Sequence, residues 1–549
     1  MSFHDAVVYQ IYPKSFRDSD SDGIGDLRGI LEKVDHIASL GVDLVWLNPF
    51  YPSPQRDNGY DVSDYCAVDP TMGTMEEFEE LVAELGKHGI GVMLDMVLNH
   101  TSTAHEWFQQ ALAGDQKYRD YYLIRPPRDD GSLPTSWLSK FGGPAWAPFG
   151  DTGDYYLHLF DVSQADLNWR NPEVRREMAE VVNFWRGKGV KAFRFDVINL
   201  IGKAEQLVDG DPGGDGRDAY TDGPDVHPYL QELAAASFGQ DPDSVTVGEM
   251  SSTSIQACVG YSNPDNHELS MVFNFHHLKV DYADGKKWTQ MPFDLAELKR
   301  LLDEWATGMQ EGNGWNALFW NNHDQPRAIN RFGDPERYHA ESATMLATAI
   351  HLLRGTPYVY MGEEIGMTDP DYTAMTDYVD VEAHHAFSEL VQAGELPDRA
   401  FQIVHAKARD NARTPMQWDS SPTAGFSGVP GWLRPTNQDR FNVADEESSG
   451  RILPYYRELI ALRKRDPLIS EGRYESFNPG HPSVFGYQRS HEGRRLLVLT
   501  NFRGEDAQLQ IPAEFAAGHQ LIGNYPEKPI EEDLTLRPYE ALAIVVEPS

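Results

Sequence analysis

Apolar and polar positions alternate in two rhythms over roughly the first 470 residues. Short β-branched and aromatic runs give way repeatedly to longer stretches whose apolar residues recur every three or four positions. That is the pattern of strands alternating with amphipathic helices. Strands are predicted at 7–12, 42–47, 91–97, 191–197, 245–247, 269–275, 315–320 and 357–360, with helices at 30–40, 75–88 and 172–186 among them. Eight strands separated by helices imply a parallel sheet closed into a (β/α)₈ barrel. Between the third and fourth strands lie about 70 residues, far more than a βα loop needs. They are rich in Trp, Tyr, Gly and Pro (Trp137, Trp146, Tyr155, Tyr156), so a small folded excursion is expected. From about residue 470 the helical rhythm stops, and short runs such as 483–487 and 496–499 predict an antiparallel β domain. The expected division is a barrel over 1–100 and 171–469, an inserted subdomain over 101–170, and a C-terminal β-sandwich over 470–549.

Composition narrows the partners. Formal charge is −38, which repels phosphodiester backbones and anionic membranes, so neither nucleic acid nor membrane is expected. No uninterrupted apolar stretch approaches a membrane span, and no basic segment followed by an apolar run opens the chain. With only Cys66 and Cys258 there is no disulfide framework, and a cytoplasmic location is expected.

In barrels of this kind the chemistry sits at the C-terminal ends of the strands. Those ends carry Asp95, Asn99 and His100, then Arg194 and Asp196, then Glu249, then His323 and Asp324. Carboxylates converging on one cleft suit glycoside hydrolysis, in which an ionised acid attacks the anomeric carbon and a protonated one assists the leaving oxygen. Arg194 stands two residues before Asp196, hence on the same face of its strand, where it could hold that carboxylate ionised. Elsewhere, Asp18, Asp20 and Asp22 alternate ahead of Gly23, with Asp26 beyond, like the start of an EF-hand loop; the twelfth position is Gly29 rather than Glu.

The segments Asp95-Met96-Val97-Leu98-Asn99-His100, Phe193-Arg194-Phe195-Asp196, Val247-Gly248-Glu249 and Asn322-His323-Asp324 resemble, in order, the four signature regions of the α-amylase family. The resemblance implies Asp196 as nucleophile, Glu249 as general acid/base and Asp324 as transition-state stabiliser, with His100 and His323 on the sugar. It implies that Asp57 and Tyr60, in Asp57-Asn58-Gly59-Tyr60, grip and stack on the terminal ring, and that Arg413 shares the hydroxyl held by Asp57. Such an Asp–Arg clamp closes the site into a pocket, so attack should be exolytic. It also implies a structural calcium ion on Asp18, Asp20, Asp22, Asp26 and the Ile24 carbonyl, and no cofactor for catalysis. The partner expected is a small α-glucoside.

Within the family, Gln164-Ala165-Asp166-Leu167-Asn168 and Val197 are similar to the oligo-1,6-glucosidase branch. The segments 248–253, 273–282, 214–217 and 220–224 resemble the members of that branch that hydrolyse trehalose 6-phosphate. The chain departs from those members at Gly202 and Asp225, where they usually carry Ser and Arg. A phosphate needs charge-assisted donors concentrated locally, and Lys279 is the first candidate, with Lys203 and Lys287 behind it. The alternatives are an oligo-1,6-glucosidase acting on isomaltose-type sugars and, remotely, a non-catalytic binding protein on the same fold.

Overall fold

Eight parallel strands form the centre of the computed structural model, which describes residues 2–548. They are β1 (Val8–Ile11), β2 (Leu44–Leu47), β3 (Gly91–Met96), β4 (Ala192–Phe195), β5 (Val245–Glu249), β6 (Met271–Phe273), β7 (Ala317–Leu318) and β8 (Thr356–Tyr360). They pair in the order β6-β5-β4-β3-β2-β1-β8-β7. A parallel bridge between Val272 and Asn316 joins the two ends and closes the barrel. Every strand residue is buried except Gly91 and Glu249, which are partly exposed and stand at strand ends. Burial on both faces is why these strands read as unbroken apolar runs.

The same burial blurs the strand limits. Apolar residues continue past the hydrogen-bonded ladder, so the strands expected at 269–275 and 315–320 contract to Met271–Phe273 and Ala317–Leu318. The helix expected at 30–40 is two, Leu27–Leu31 and Val34–Leu40. Ile30, Val34, Ile37 and Leu40 keep one buried face across the kink, so the apolar rhythm passes through the break unaltered. Elsewhere local chemistry and fold agree. Thr74 and Glu77 form a reciprocal capping box on Met75–Lys87, and Asn171 with Pro172 opens the helix Pro172–Gly187.

Between β3 and β4 the chain makes a two-stranded ladder (His100–Ser102 with Gln164–Asp166) and a three-stranded sheet (Ile124–Arg125, Tyr155–Leu157, Trp146–Pro148). Its apolar cluster includes Trp137, Trp146 and Leu157 and is completed by Val197 and Leu200, which follow β4. The excursion is thereby packed directly against the loop that carries Asp196. Beyond the barrel, five antiparallel strands face a two-stranded ladder of Ala507–Gln510 and Asp533–Leu536. Leu497 and Leu499 pack between these two sheets, whereas Leu496 and Val498 pack on the barrel side. Both faces of the run 496–499 are buried, and it carries no polar alternation for that reason. Among the described residues no helix is long and apolar enough to cross a membrane.

Candidate active site

Arg194 is the organising charge at the C-terminal mouth of the barrel. It is 1% exposed, and its Nη1 lies 2.6 Å from Asp95 Oδ1 and 2.7 Å from Asp196 Oδ1, while Nη2 faces the Glu249 carboxylate. Register explains the convergence: Asp95 is the cross-strand partner of Arg194, and Gly248 is the partner of Phe195. Continuing that ladder by one residue sets Asp196 level with Glu249 on adjacent strands. Neighbouring strands run about 4.8 Å apart, close to the separation of roughly 5–5.5 Å at which a carboxylate can attack directly. Burial pushes the Asp95 carboxyl up to about 7 against the pull of Arg194.

After Asp196 the chain turns sharply. Val197 adopts the left-handed conformation (φ 37°, ψ 40°), which a β-branched residue accepts only under strain. The kink leads into the single turn Ile198–Leu200 and leaves Asp196 projecting from the end of its strand.

Asp324 completes the floor. Burial alone would raise its carboxyl, but the Arg409 and Arg413 guanidiniums more than offset that and hold it well below the usual carboxylate range. Arg413 Nη2 reaches Asp324 Oδ1 at 2.8 Å. His323 Nδ1 faces the amide nitrogens of Gln10 (3.0 Å) and Asn48 (3.1 Å), so it must accept and the ring proton sits on Nε2, 3.2 Å from Asp324 Oδ2. Burial lowers that imidazole to about 3, so it is neutral.

The clamp differs from expectation in one residue. Asp57 meets Arg409, not Arg413: Arg409 Nη2 is 3.0 Å from Asp57 Oδ1. Arg409 also binds Asp380 (2.5 Å), approaches Glu382 (3.3 Å) and stands 3.5 Å from Asp324. Arg413, one helical turn later, is directed to Asp324 and to the His323 carbonyl. Burial raises Asp57 to about 7 even beside Arg409.

Above this floor opens a cavity of about 270 Å³, near the lower end of the range for small-ligand sites. It is lined by Asp57, Tyr60, His100, Asp196, Glu249, Asp324 and Arg409 at the base, and by Lys140, Ser251, Lys279 and Lys287 toward the mouth. Tyr60, besides lining it, donates to Asp95 at 2.8 Å and stacks on His323 with rings 4° from parallel. His100 Nε2 lies 3.1 Å from the Tyr60 carbonyl, and burial keeps the ring below its usual pKa. Arg194, His323 and Arg413 lie behind the lining.

Of the three lysines considered from sequence, Lys279 lines the cavity, and among the described residues no carboxylate pairs with it. Its side chain is exposed, and its ammonium is lowered from the usual lysine range, first by partial desolvation against the cavity wall and then by Arg217. Lys287 lines it too but is held by Glu382 at 2.7 Å. Lys203 is a correction. It is buried against Asp166 and Asn99, both at 2.8 Å, and does not reach the cavity. Lys140, from the excursion, was not foreseen. It lines the cavity, donates to Ser251 Oγ at 2.9 Å, and is lowered to about 8, chiefly by burial and then by Arg217. Asp380 and Glu382, on the segment after β8, were also missed.

The two departures have local causes. A Cβ on Gly202 would lie 2.5 Å from the Val226 nitrogen, leaving no room for a side chain. Asp225 pairs at 2.5 Å with Arg170 on the outer surface and does not line the cavity. In the acidic loop Asp18, Asp20 and Asp22 present carboxylate oxygens within 4.8 Å of one another. Asp26 does not join them. It accepts from Ser19 N (2.7 Å) and caps the helix Leu27–Leu31 through Gly29 N (2.6 Å).

A parallel barrel with three carboxylates gathered at its C-terminal mouth, in a small closed-ended pocket, is the site of a glycoside hydrolase. Known proteins agree. The family model for the α-amylase catalytic domain matches residues 10–472, and that for the α-amylase SusG C-terminal domain matches 484–542. The chain belongs to the α-amylase family. It is 47% identical to the trehalose-6-phosphate hydrolase of Bacillus subtilis, over 98% of this chain and 97% of that one. It is 44% identical to an oligo-1,6-glucosidase of Parageobacillus thermoglucosidasius, again over 98% and 97%. The crystal structure of Bacillus licheniformis trehalose-6-phosphate hydrolase superposes with a TM-score of 0.95 at 46% identity, covering 99% of this chain and all of that one.

Proposed function

We propose that the chain is a retaining, exo-acting α-glucosidase that hydrolyses trehalose 6-phosphate to glucose and glucose 6-phosphate. Asp196 attacks the anomeric carbon while Glu249 gives its proton to the departing glycosidic oxygen. Glucose 6-phosphate leaves, and the sugar remains as an ester on Asp196. Glu249, now ionised, takes a proton from a water that attacks the same carbon; glucose departs and both acids return to their starting states. Asp324, kept ionised by its arginines, binds the ring hydroxyls. The Asp57–Arg409 pair holds the far end of the ring, which limits cleavage to chain ends. The observation that carries this reading is the shared register level of Asp196 and Glu249, both held on one buried guanidinium.

The phosphate is assigned to the mouth. Lys279 is exposed and Lys140 partly exposed at the cavity mouth, and neither has a carboxylate partner among the described residues, in a chain of net charge −38. Cations kept apart from so many available acids suit a phosphate dianion, which supplies the missing charge-assisted acceptors. Phosphorylated substrate and two unpaired cysteines fit a cytoplasmic location. Asp18, Asp20 and Asp22 with the Ile24 carbonyl would hold a calcium ion that braces the loop after β1, with Asp26 as helix cap behind it.

One observation favours a second reading. Lys287 is already neutralised by Glu382 at the cavity wall, and an acidic residue there suits a neutral sugar such as isomaltose. Purified protein assayed side by side should cleave trehalose 6-phosphate much faster than isomaltose; equal rates, or a preference for isomaltose, would favour the second reading.

A further inference from the structure

The loops leaving β4 and β5 carry Asp196 and Glu249, and the side chain of Asn199 joins these loops next to the two acids. The ladder between the two strands ends at Gly248 and Phe195, so the carboxylates stand one level beyond its last rung. Three residues after Asp196, the fully buried Asn199 takes up the pairing with its side-chain amide. Its Oδ1 accepts from Ser251 N at 2.9 Å, and its Nδ2 donates to Ser251 O at 2.9 Å. The amide thus makes the two bonds that a neighbouring peptide would have made, from a chain that Val197 has already turned out of the strand. The strands part at the reacting pair and are rejoined just past it.

Asp222 orients this amide. Its Oδ1 accepts from Asn199 Nδ2 at 3.0 Å and from Tyr261 OH at 2.7 Å, while its Oδ2 accepts from Thr253 Oγ1 at 3.0 Å. Its own backbone N–H donates to the Asn199 carbonyl at 3.1 Å. Asp222 sits in the left-handed region (φ 50°), a strain that its four bonds hold in place. With a carboxylate on one side, the Asn199 nitrogen can point only that way, which aims its oxygen at Ser251 N. Asn199 does not line the cavity, so it acts through the loops and not on the sugar.

We propose that Asn199 is a positioning residue that sets the separation and angle between Asp196 and Glu249, with Asp222 fixing its amide. This rests on the reading of those two acids as the reacting pair. In Asn199→Asp the shape is kept, but the donor is replaced by a second carboxylate facing Asp222 and the Ser251 carbonyl; Asn199→Ala removes the clamp outright. The variants are assayed on a series of aryl α-glucosides of graded leaving-group acidity, with full pH–rate profiles and thermal unfolding. On 4-nitrophenyl α-glucoside kcat should fall about 10²-fold, the scale of an ångström's misplacement of reacting groups. KM should stay within about twofold, since uniform binding is untouched. The dependence of log kcat on leaving-group acidity should steepen, because a misplaced Glu249 fails most where the departing oxygen needs its proton most. The limbs of the pH profile should move with it. A loss of kcat that only follows the unfolded fraction, with slope and pH profile unchanged, would overturn the proposal, as would unaltered kcat. If neither Asn199 variant folds, Asp222→Asn serves instead: the same steepening is expected at about a tenfold loss, and an unchanged slope overturns the proposal. Normal turnover in Asp196→Asn would reject the reacting pair itself; normal turnover in Asn199 variants alongside an inactive Asp196→Asn would reject only the clamp.

Discussion

The two ends of the cavity are built on opposite electrostatic plans. At the floor every charge is partnered: Arg194 spans Asp95, Asp196 and Glu249, and Arg409 spans Asp57, Asp380, Glu382 and Asp324. At the mouth Lys140 donates only to a serine, and Lys279 has no acidic partner among the described residues. Buried ions are costly unless paired. A floor network already satisfied is preorganised and changes little when a neutral ring binds, whereas unpaired cations at the mouth leave an electrostatic gap for an anionic group to close. The proposed function assigns chemistry to the first plan and substrate choice to the second.

The contrast can be broken from either side. The largest effect is expected at the floor. Asp196→Asn and Glu249→Gln should each reduce kcat by orders of magnitude, acid–base assistance alone being worth roughly 10²–10⁴-fold. Unfolding midpoints near the parent would show that chemistry and not the fold was lost; near-normal turnover would reject the assignment. Next comes the clamp. Arg409→Lys removes a planar fork that serves four carboxylates, and kcat/KM should fall by about 10²-fold for phosphorylated and neutral glucosides alike. An equal loss in Arg413→Lys with a mild effect in Arg409→Lys would return the clamp to Arg413.

At the mouth the effect should be smaller and selective. Lys279→Ala should raise KM about tenfold for trehalose 6-phosphate, a charge-assisted bond being worth roughly 1.5–3 kcal/mol, while KM for isomaltose stays put. The same selectivity should show in pH. Lys140 loses its proton at about 8, so its positive charge is present below that pH and absent above it. Phosphate has its second pKa near 6 and is already a dianion there. KM for the phosphorylated sugar should therefore climb as pH rises through 8, with no matching rise for the neutral one. A parallel rise for both would place the titrating group at the floor.

Most of the floor was legible in the sequence because strand ends impose it: Asp95, Arg194, Asp196 and Glu249 follow from two-residue periodicity at the mouth of a barrel. The choice between Arg409 and Arg413 was not legible. They lie one turn apart in one segment, and which of them meets Asp57 depends on how that segment packs, not on spacing. Lys203 misled for a related reason. Its partner Asp166 lies 37 positions earlier, inside an excursion whose irregular loops have no period to read. Lys140 was missed in that same stretch. Asp380 and Glu382 were missed because the segment after β8 offers no strand register. Among the barrel strands existence was clear and limits were not, since residues flanking a ladder inside a closed barrel are as buried as those within it.

The central claim is direct attack by Asp196 with Glu249 at the same level, and trapping the covalent sugar tests it. The protein would be treated with 5-fluoro-α-glucosyl fluoride, digested and sequenced by mass spectrometry. The account predicts a fluoroglucosyl ester on Asp196, with the first glucose released from natural substrate appearing as the α-anomer by NMR. An ester on another carboxylate, or a β-anomer as first product, would contradict it.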